Sequence, residues 1–226
     1  MRITLIGLFI LFCSGAAHAQ GPWPQERPDD REQSVRNEDG GRAYIVLPTS
    51  TTLVGLVKPG ATTVSDLQQY SIFLGPGWAD PSLRASETKL SKLLSSIRDH
   101  AQMDEITQAG ITNLFGPTFS FEKLDIAGDR NISDLEIQRT LADILKGGGP
   151  PNSDALYVVY LDPSLRSTLG PLVADKHYSA YHNFFYADGV KVHYAVLPYQ
   201  SDSKAAYQTA LRTLIVAALH EDNAAH

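Results

Sequence analysis

The residues best equipped for chemistry lie late in the chain, in His177-Tyr178-Ser179-Ala180-Tyr181-His182-Asn183-Phe184-Phe185, with His193 a few residues beyond. Three imidazoles, His177, His182 and His193, are side chains from which a metal centre for assisted hydrolysis could be assembled, since neutral imidazole is a common metal ligand. No Asp or Glu accompanies them at ligand spacing. The alternation of a strand puts His182 and Tyr181 on opposite faces without saying which face is buried. A second pair, His220-Glu221, invites comparison with H-E-x-x-H, in which two histidines one helical turn apart hold zinc and the Glu acts as base. The residue four beyond His220 is Ala224, and His226 falls on roughly the opposite side of a helix that advances about 100° per residue. The comparison fails on that spacing, and a solvated helix end is the expectation.

Gly75-Pro76-Gly77-Trp78 stands where an apolar run gives way to a helical pattern. In α/β sheets such connections can line a ligand crevice, and Trp78 is the side chain there that could face one, packed burial being the commoner use of a Trp. The sharper motifs are missing. No G-x-S-x-G elbow occurs, and Gly147-Gly148-Gly149 is not followed by the Lys-Ser/Thr of a phosphate loop. No catalytic, metal or cofactor set is complete. The candidate ligand-binding residues are therefore Trp78, Tyr181, His182 and His193, with no catalytic residue, metal or cofactor assigned.

The elements that must position these residues can be read from punctuation and periodicity. Tyr44 to Leu47, Leu53 to Val57 and Tyr70 to Leu74 are short apolar runs bounded by Pro and Gly, as strands are. Asp80 and Pro81 suit the start of a helix carrying Leu83, Leu90, Leu93, Leu94 and Ile97 at helical spacing, and a weaker helical stretch runs near Met103 to Ala109. Ser133-Asp134-Leu135-Glu136 is an S-x-x-E capping box opening a helix with Ile137, Leu141, Ile144 and Leu145 inward. Ala155 to Leu161, apolar on both faces, suits a central strand. Tyr181 to Tyr186 and Val190 to Leu197 flank the turn Ala187-Asp188-Gly189 as a hairpin, and a last helix spans about Ser203 to Leu219. The fold class that follows is α/β: a single layered domain over 43–226 with a mixed sheet, one antiparallel hairpin and helices packed on it.

The chain has 226 residues, 43% hydrophobic and 19% charged, with a formal net charge of −6. Its basic residues form no block, which argues against a grip on nucleic acid. Arg2, the apolar run Ile3 to Cys13 and the small residues through Ala17-His18-Ala19 read as a secretory signal peptide over 1–19, too short to span a bilayer, which needs about 20 helical residues. Export with no integral membrane span after cleavage is expected, to the periplasm or the medium. Leu11 and Phe12, rather than small residues, precede Cys13, which weighs against lipidation there. Cys13 is the chain's one cysteine, so the mature chain would hold no thiol. The charged segment 20–42 reads as a disordered lead-in.

One resemblance adds to this reading. The strand and turn Tyr70-Ser71-Ile72-Phe73-Leu74-Gly75-Pro76-Gly77-Trp78, the capped Leu-rich helix, Ala155-Leu156-Tyr157-Val158-Val159-Tyr160-Leu161-Asp162-Pro163, Ala180-Tyr181-His182 and Val192-His193-Tyr194-Ala195-Val196-Leu197-Pro198 resemble the bacterial branch of the exordium, or phosphate-induced, secreted proteins. The likeness covers about Tyr70 to Pro198. The chain departs from that family at Phe73-Leu74-Gly75, where a Trp-Tyr/Trp-Gly turn is usual, and at Ser179-Ala180, where a Cys-Gly pair is. Ala224 replaces the last Glu of a His-Glu-x-x-Glu helix found in many bacterial members. The resemblance implies an exported protein acting at the cell envelope or outside. The expected function is a non-catalytic binding module for an envelope glycan or a protein partner. The alternative is a metal-assisted hydrolase built on the His-rich hairpin and His220-Glu221.

Overall fold

The computed structural model describes residues 33–36, 42–46, 68–93, 118–148, 152 and 155–219. The expected signal segment, the strand at Leu53 to Val57, the helical stretch at Met103 to Ala109, and Leu94, Ile97, His220 and Glu221 lie outside them. The strands are β1 (Gln33–Arg36), β2 (Arg42–Val46), β3 (Gln68–Leu74), β4 (Thr118–Lys123), β5 (Arg130–Ser133), β6 (Ala155–Leu161), β7 (Leu165–Leu169), β8 (Leu172–Val173), β9 (Ala180–Ala187) and β10 (Val190–Leu197). The helices are α1 (Arg84–Ser91), α2 (Asp134–Gly148) and α3 (Ser203–Leu219).

A seven-stranded sheet runs in the order β1-β2-β9-β10-β6-β3-β4, with β10, β6, β3 and β4 mutually parallel and β9, β2 and β1 added antiparallel. The α/β architecture with a mixed sheet is thus present. β6 is central and buried along its whole length, as its unbroken Ala-Leu-Tyr-Val-Val-Tyr-Leu implies. The β9–β10 hairpin turns on Asp188 and Gly189 with φ of 51° and 79°, both left-handed as a two-residue type I′ turn requires. β1 sits inside the segment expected to be a disordered lead-in. It pairs with β2 from Gln33↔Ile45 to Arg36↔Arg42, so the charged stretch carries the edge strand of the sheet.

The alternation of strands divides the side chains between two faces. On one face Tyr70, Ile72, Leu74, Tyr157, Val159, Leu161, Tyr181, Val192, Tyr194 and Val196 join Ile137, Leu141 and Leu145 of α2 in one hydrophobic cluster. A second, three-stranded sheet, β5-β7-β8, closes this layer with Ile132, Leu165 and Leu169. It was not foreseen from the sequence. The other face carries Gln69, Ser71, Phe73, Val158 and Tyr160, and is covered by Leu90 of α1, Leu93 just beyond it, and Ala210, Leu211 and Leu214 of α3.

Of the two expected helix starts, that of α2 is visible in its hydrogen bonds, while that of α1 lies three residues later than expected. At α2, Glu136 N–H donates to Ser133 Oγ at 3.3 Å and Ser133 N–H donates to Glu136 Oε2 at 3.1 Å, the reciprocal pair of a capping box. Before α1, Asp80 Oδ1 accepts from Ser82 N–H at 2.8 Å. The residues that follow first form a 3₁₀ turn, Pro81–Leu83, and the α-helix proper starts only at Arg84. Leu83 is only half-buried, so little packing pulls that turn into the α geometry. For α3, Asp202 outside the first turn accepts from the N–H groups of Lys204 and Ala205 at 2.8 and 3.2 Å.

Candidate functional site

In open sheets with parallel strands, ligands sit beyond the carboxyl ends of the strands, where neighbouring connections leave toward opposite faces. Here that point lies between β3 and β6. The chain leaving β3 passes to α1 on one face, and the chain leaving β6 passes to β7 on the other. The crevice between them is filled from within by Asp162, which is fully buried. Its carboxylate accepts from Gly77 N–H, from Ser164 N–H at 2.8 Å and from Ser164 Oγ–H at 2.7 Å. Gly75 stands against it with φ of 115°, and a Cβ there would lie 2.5 Å from Asp162 Cγ. The glycines of Gly75-Pro76-Gly77 thus let the backbone wrap the protein's own carboxylate.

Open space lies to the side, over the ends of β6 and β10. A groove there is underlain by Trp78 and walled by α1, by the segment Pro198-Tyr199-Gln200 and by the start of α3, with Lys89, Tyr199, Gln200, Ser203 and Tyr207 among its lining residues. Its inner cavity is about 50 Å³, room for ordered water, while its mouth opens on solvent between half-buried Tyr199 and Tyr207. Trp78 is held in place by an edge contact on Phe73 with ring centres 4.9 Å apart, and its indole N–H donates to the Tyr160 carbonyl at 3.1 Å. Phe73 in turn stacks on Tyr160 at 5.0 Å. Lys89 Nζ lies 4.6 Å from the centre of the Tyr207 ring, a cation–π contact that fixes both side chains at the rim. Gln200 and Thr209 exchange side-chain contacts at 3.3 and 3.4 Å, which ties the end of β10 to α3. Among the groove's lining residues the only formal charge is that of Lys89; the polar remainder are hydroxyls and an amide.

The candidate ligand-binding residues are therefore divided among three places. Trp78 lies beneath the groove and is 2% exposed, packed as a core Trp is. Tyr181 is buried on the far face of the sheet, where its hydroxyl donates to Asp134 Oδ1 at 2.7 Å. Tyr194 donates to the same oxygen at 2.6 Å, while Asn183 and Gln138 donate to Oδ2 at 3.2 and 3.0 Å. Burial pushes the Tyr181 and Tyr194 hydroxyls well above the ordinary phenol range, and the neighbouring Asp134 charge adds to the effect. His182 lies on the opposite face from Tyr181, 5% exposed. His193 shares that face, because His182 pairs with Ala195 and His193 with Phe184, which makes the two histidines diagonal neighbours. Its ring lies tilted against Phe184 at 6.3 Å.

His177 does not join them. It is exposed beside β8 on the side of the small sheet, with its Nδ1 3.0 Å from Val173 N–H. The main sheet thus separates it from His182 and His193. Among the described residues, no three His, Cys, Asp or Glu side chains are grouped so as to hold a metal ion.

Sequence reasoning missed Lys89, Tyr199 and Tyr207 at the groove and treated Asp134 only as part of a capping box. It also passed over Asp162, although an acidic residue directly after an unbroken apolar strand marks the carboxyl end of a central strand. Compared with known proteins, the chain matches no family model, no curated protein and no solved structure. Among the described residues no helix is long and apolar enough to cross a membrane.

Proposed function

We propose that the protein is an exported, non-catalytic binding module of exordium-like type that holds a glycan segment of the cell envelope in the groove over Trp78. The observation that carries this reading is the lining itself. Two half-buried tyrosines, the hydroxyl of Ser203 and the Gln200 amide lie over the buried Trp78, and no carboxylate opposes them. Aromatic surface combined with a few neutral donors and acceptors suits a ligand that is rich in hydroxyls and presents apolar ring faces. The narrow inner cavity supports a ligand lying along the mouth rather than one swallowed whole. The signal-like segment 1–19 supports export.

The chain's two tryptophans, Trp23 and Trp78, make the test direct. In a Trp23→Phe variant the remaining emission reports from beneath the groove. Titration with N-acetylglucosamine, glucan and galactan oligosaccharides should shift or quench Trp78 for one of these classes, and Tyr207→Ala should abolish the response while the fold persists. A flat emission titration with all three, together with no binding heat, would overturn the reading.

A further inference from the structure

A second recess opens on the side of the small sheet, where Pro198-Tyr199 meets the chain leaving β6. It holds about 150 Å³ and is lined by Pro163, Leu165, Arg166, Asp175 and Tyr199 among others. That volume is close to that of an engineered cavity that takes up benzene, so the recess suits a ligand of about six non-hydrogen atoms.

Its two charged residues, Arg166 and Asp175, stand at its solvent-exposed rim. β7 and β8 pair through Leu169↔Leu172 and Thr168↔Val173, and the same register carried two positions further sets Arg166 across from Asp175. The two do not close on each other as Arg130 and Glu136 do at 2.9 Å. Asp175 has φ of 67°, a left-handed conformation that turns the chain out of the ladder, and its N–H donates to the Tyr178 carbonyl at 3.1 Å. Among the described residues, the side chains of Arg166, Asp175 and Tyr199 make no hydrogen bond or ion pair, while all three line the same space. A guanidinium and a carboxylate, both exposed, and a half-buried phenol hydroxyl thus border one small recess without a partner in the protein.

An anion alone would meet repulsion from Asp175, and a cation alone would meet it from Arg166. A ligand carrying both charges a few bonds apart satisfies both. We propose that this recess binds a small free α-amino acid as its zwitterion, with the ligand carboxylate on the Arg166 fork and its ammonium on Asp175. Arg offers the planar pair of donors that matches a carboxylate, and Tyr199 supplies a further donor or acceptor beside them. The site is separate from the glycan groove, although Tyr199 borders both.

Calorimetric titration of the folded chain with L-alanine and D-alanine tests the proposal, with N-acetyl-L-alanine lacking the cation and L-alaninamide lacking the anion. One or both enantiomers should bind saturably, and each single-charge analogue should bind at least about tenfold more weakly. Arg166→Gln and Asp175→Asn should each lose at least about tenfold in affinity with unchanged thermal melting, Asn being chosen because it tolerates left-handed backbone. Tyr207→Ala, at the groove alone, should leave alanine binding intact. The proposal is overturned by no saturable alanine binding at millimolar concentration, by analogues that bind as well as alanine, or by binding that survives both substitutions.

Discussion

Asp134 is the perturbation with the largest expected effect on the fold. Its side chain is 1% exposed and receives hydrogen bonds from Tyr181, Tyr194, Asn183 and Gln138. Asp134→Ala removes the acceptor and leaves those donors behind. Gln138 keeps its 3.0 Å bond to the Tyr194 hydroxyl, so the Tyr181 hydroxyl and the Asn183 amide are the groups most fully stranded. An unsatisfied buried polar group costs about 1–3 kcal/mol, and relief from removing a buried charge offsets part of the sum, which leaves an expected loss of about 3–5 kcal/mol. Asp134→Asn is the sharper control. It keeps the shape and an oxygen for the two phenols, but sets its own amide N–H groups against those of Asn183 and Gln138. Asn183 cannot turn over to relieve this without giving up the 2.8 Å bond its Oδ1 accepts from Phe184 N–H. A loss of about 2 kcal/mol is expected, on the scale of one stranded buried donor. Urea unfolding followed by far-UV circular dichroism measures both, provided the slope with denaturant stays constant. A loss below about 1 kcal/mol for Asp134→Ala would refute the view that this carboxylate organises the core.

Gly75→Ala should destabilise by about 2–4 kcal/mol, because it combines a φ of 115° with a Cβ 2.5 Å from Asp162 Cγ. Gly189→Ala, with φ of 79° but open space around it, should cost only about 1 kcal/mol, and equal losses in paired urea titrations would contradict the crowding at Asp162. Burial holds the Tyr160, Tyr178, Tyr181 and Tyr194 hydroxyls above their ordinary value. Their folded pKa values exceed the unfolded value near 10, so their contribution is complete below about pH 10 and declines as the pH rises beyond it, by about 1.4 kcal/mol per unit for each hydroxyl. Urea midpoints at pH 8 and 11 should show this decline, and Tyr181→Phe should remove about one hydroxyl's share of it. Deleting residues 20–32 should leave thermal melting unchanged, whereas deletion through Gly41 removes β1 and should cost about 1–2 kcal/mol; identical melting curves would mean that the β1–β2 pairing adds nothing.

Where local signals were strong, the chain was legible. Ala155 to Leu161 read as a central strand because no polar residue interrupts it, and Asp188-Gly189 read as a hairpin turn because both residues accept positive φ. The capping box worked because its two hydrogen bonds lie within four residues. The small sheet was hidden because β5 and β7 pair in parallel across more than thirty residues of sequence, and each is short and only partly apolar. The groove escaped notice for a related reason. Trp78 could be singled out by type, but Lys89, Tyr199 and Tyr207 meet only when α1, the end of β10 and α3 are assembled on one face. The His-rich segment shows the converse. Its residues are close in sequence, yet strand alternation and the sheet itself send Tyr181, His182 and His177 to different environments.

Asp162 gives the molecule the character of a receptor already filled. The backbone N–H groups of Gly77 and Ser164 form a cradle for an anion, and the occupant is held in place by its own folded chain, so a free carboxylate would have to compete with a rigidly positioned intramolecular group. The cradle is therefore never vacant in the folded protein, and outside anions have no purchase on it. The same arrangement keeps a latent site within reach of one substitution. Shortening residue 162 would empty a pocket whose donors and glycine walls are already in place, and a small carboxylate such as formate would then take up the position the side chain had held.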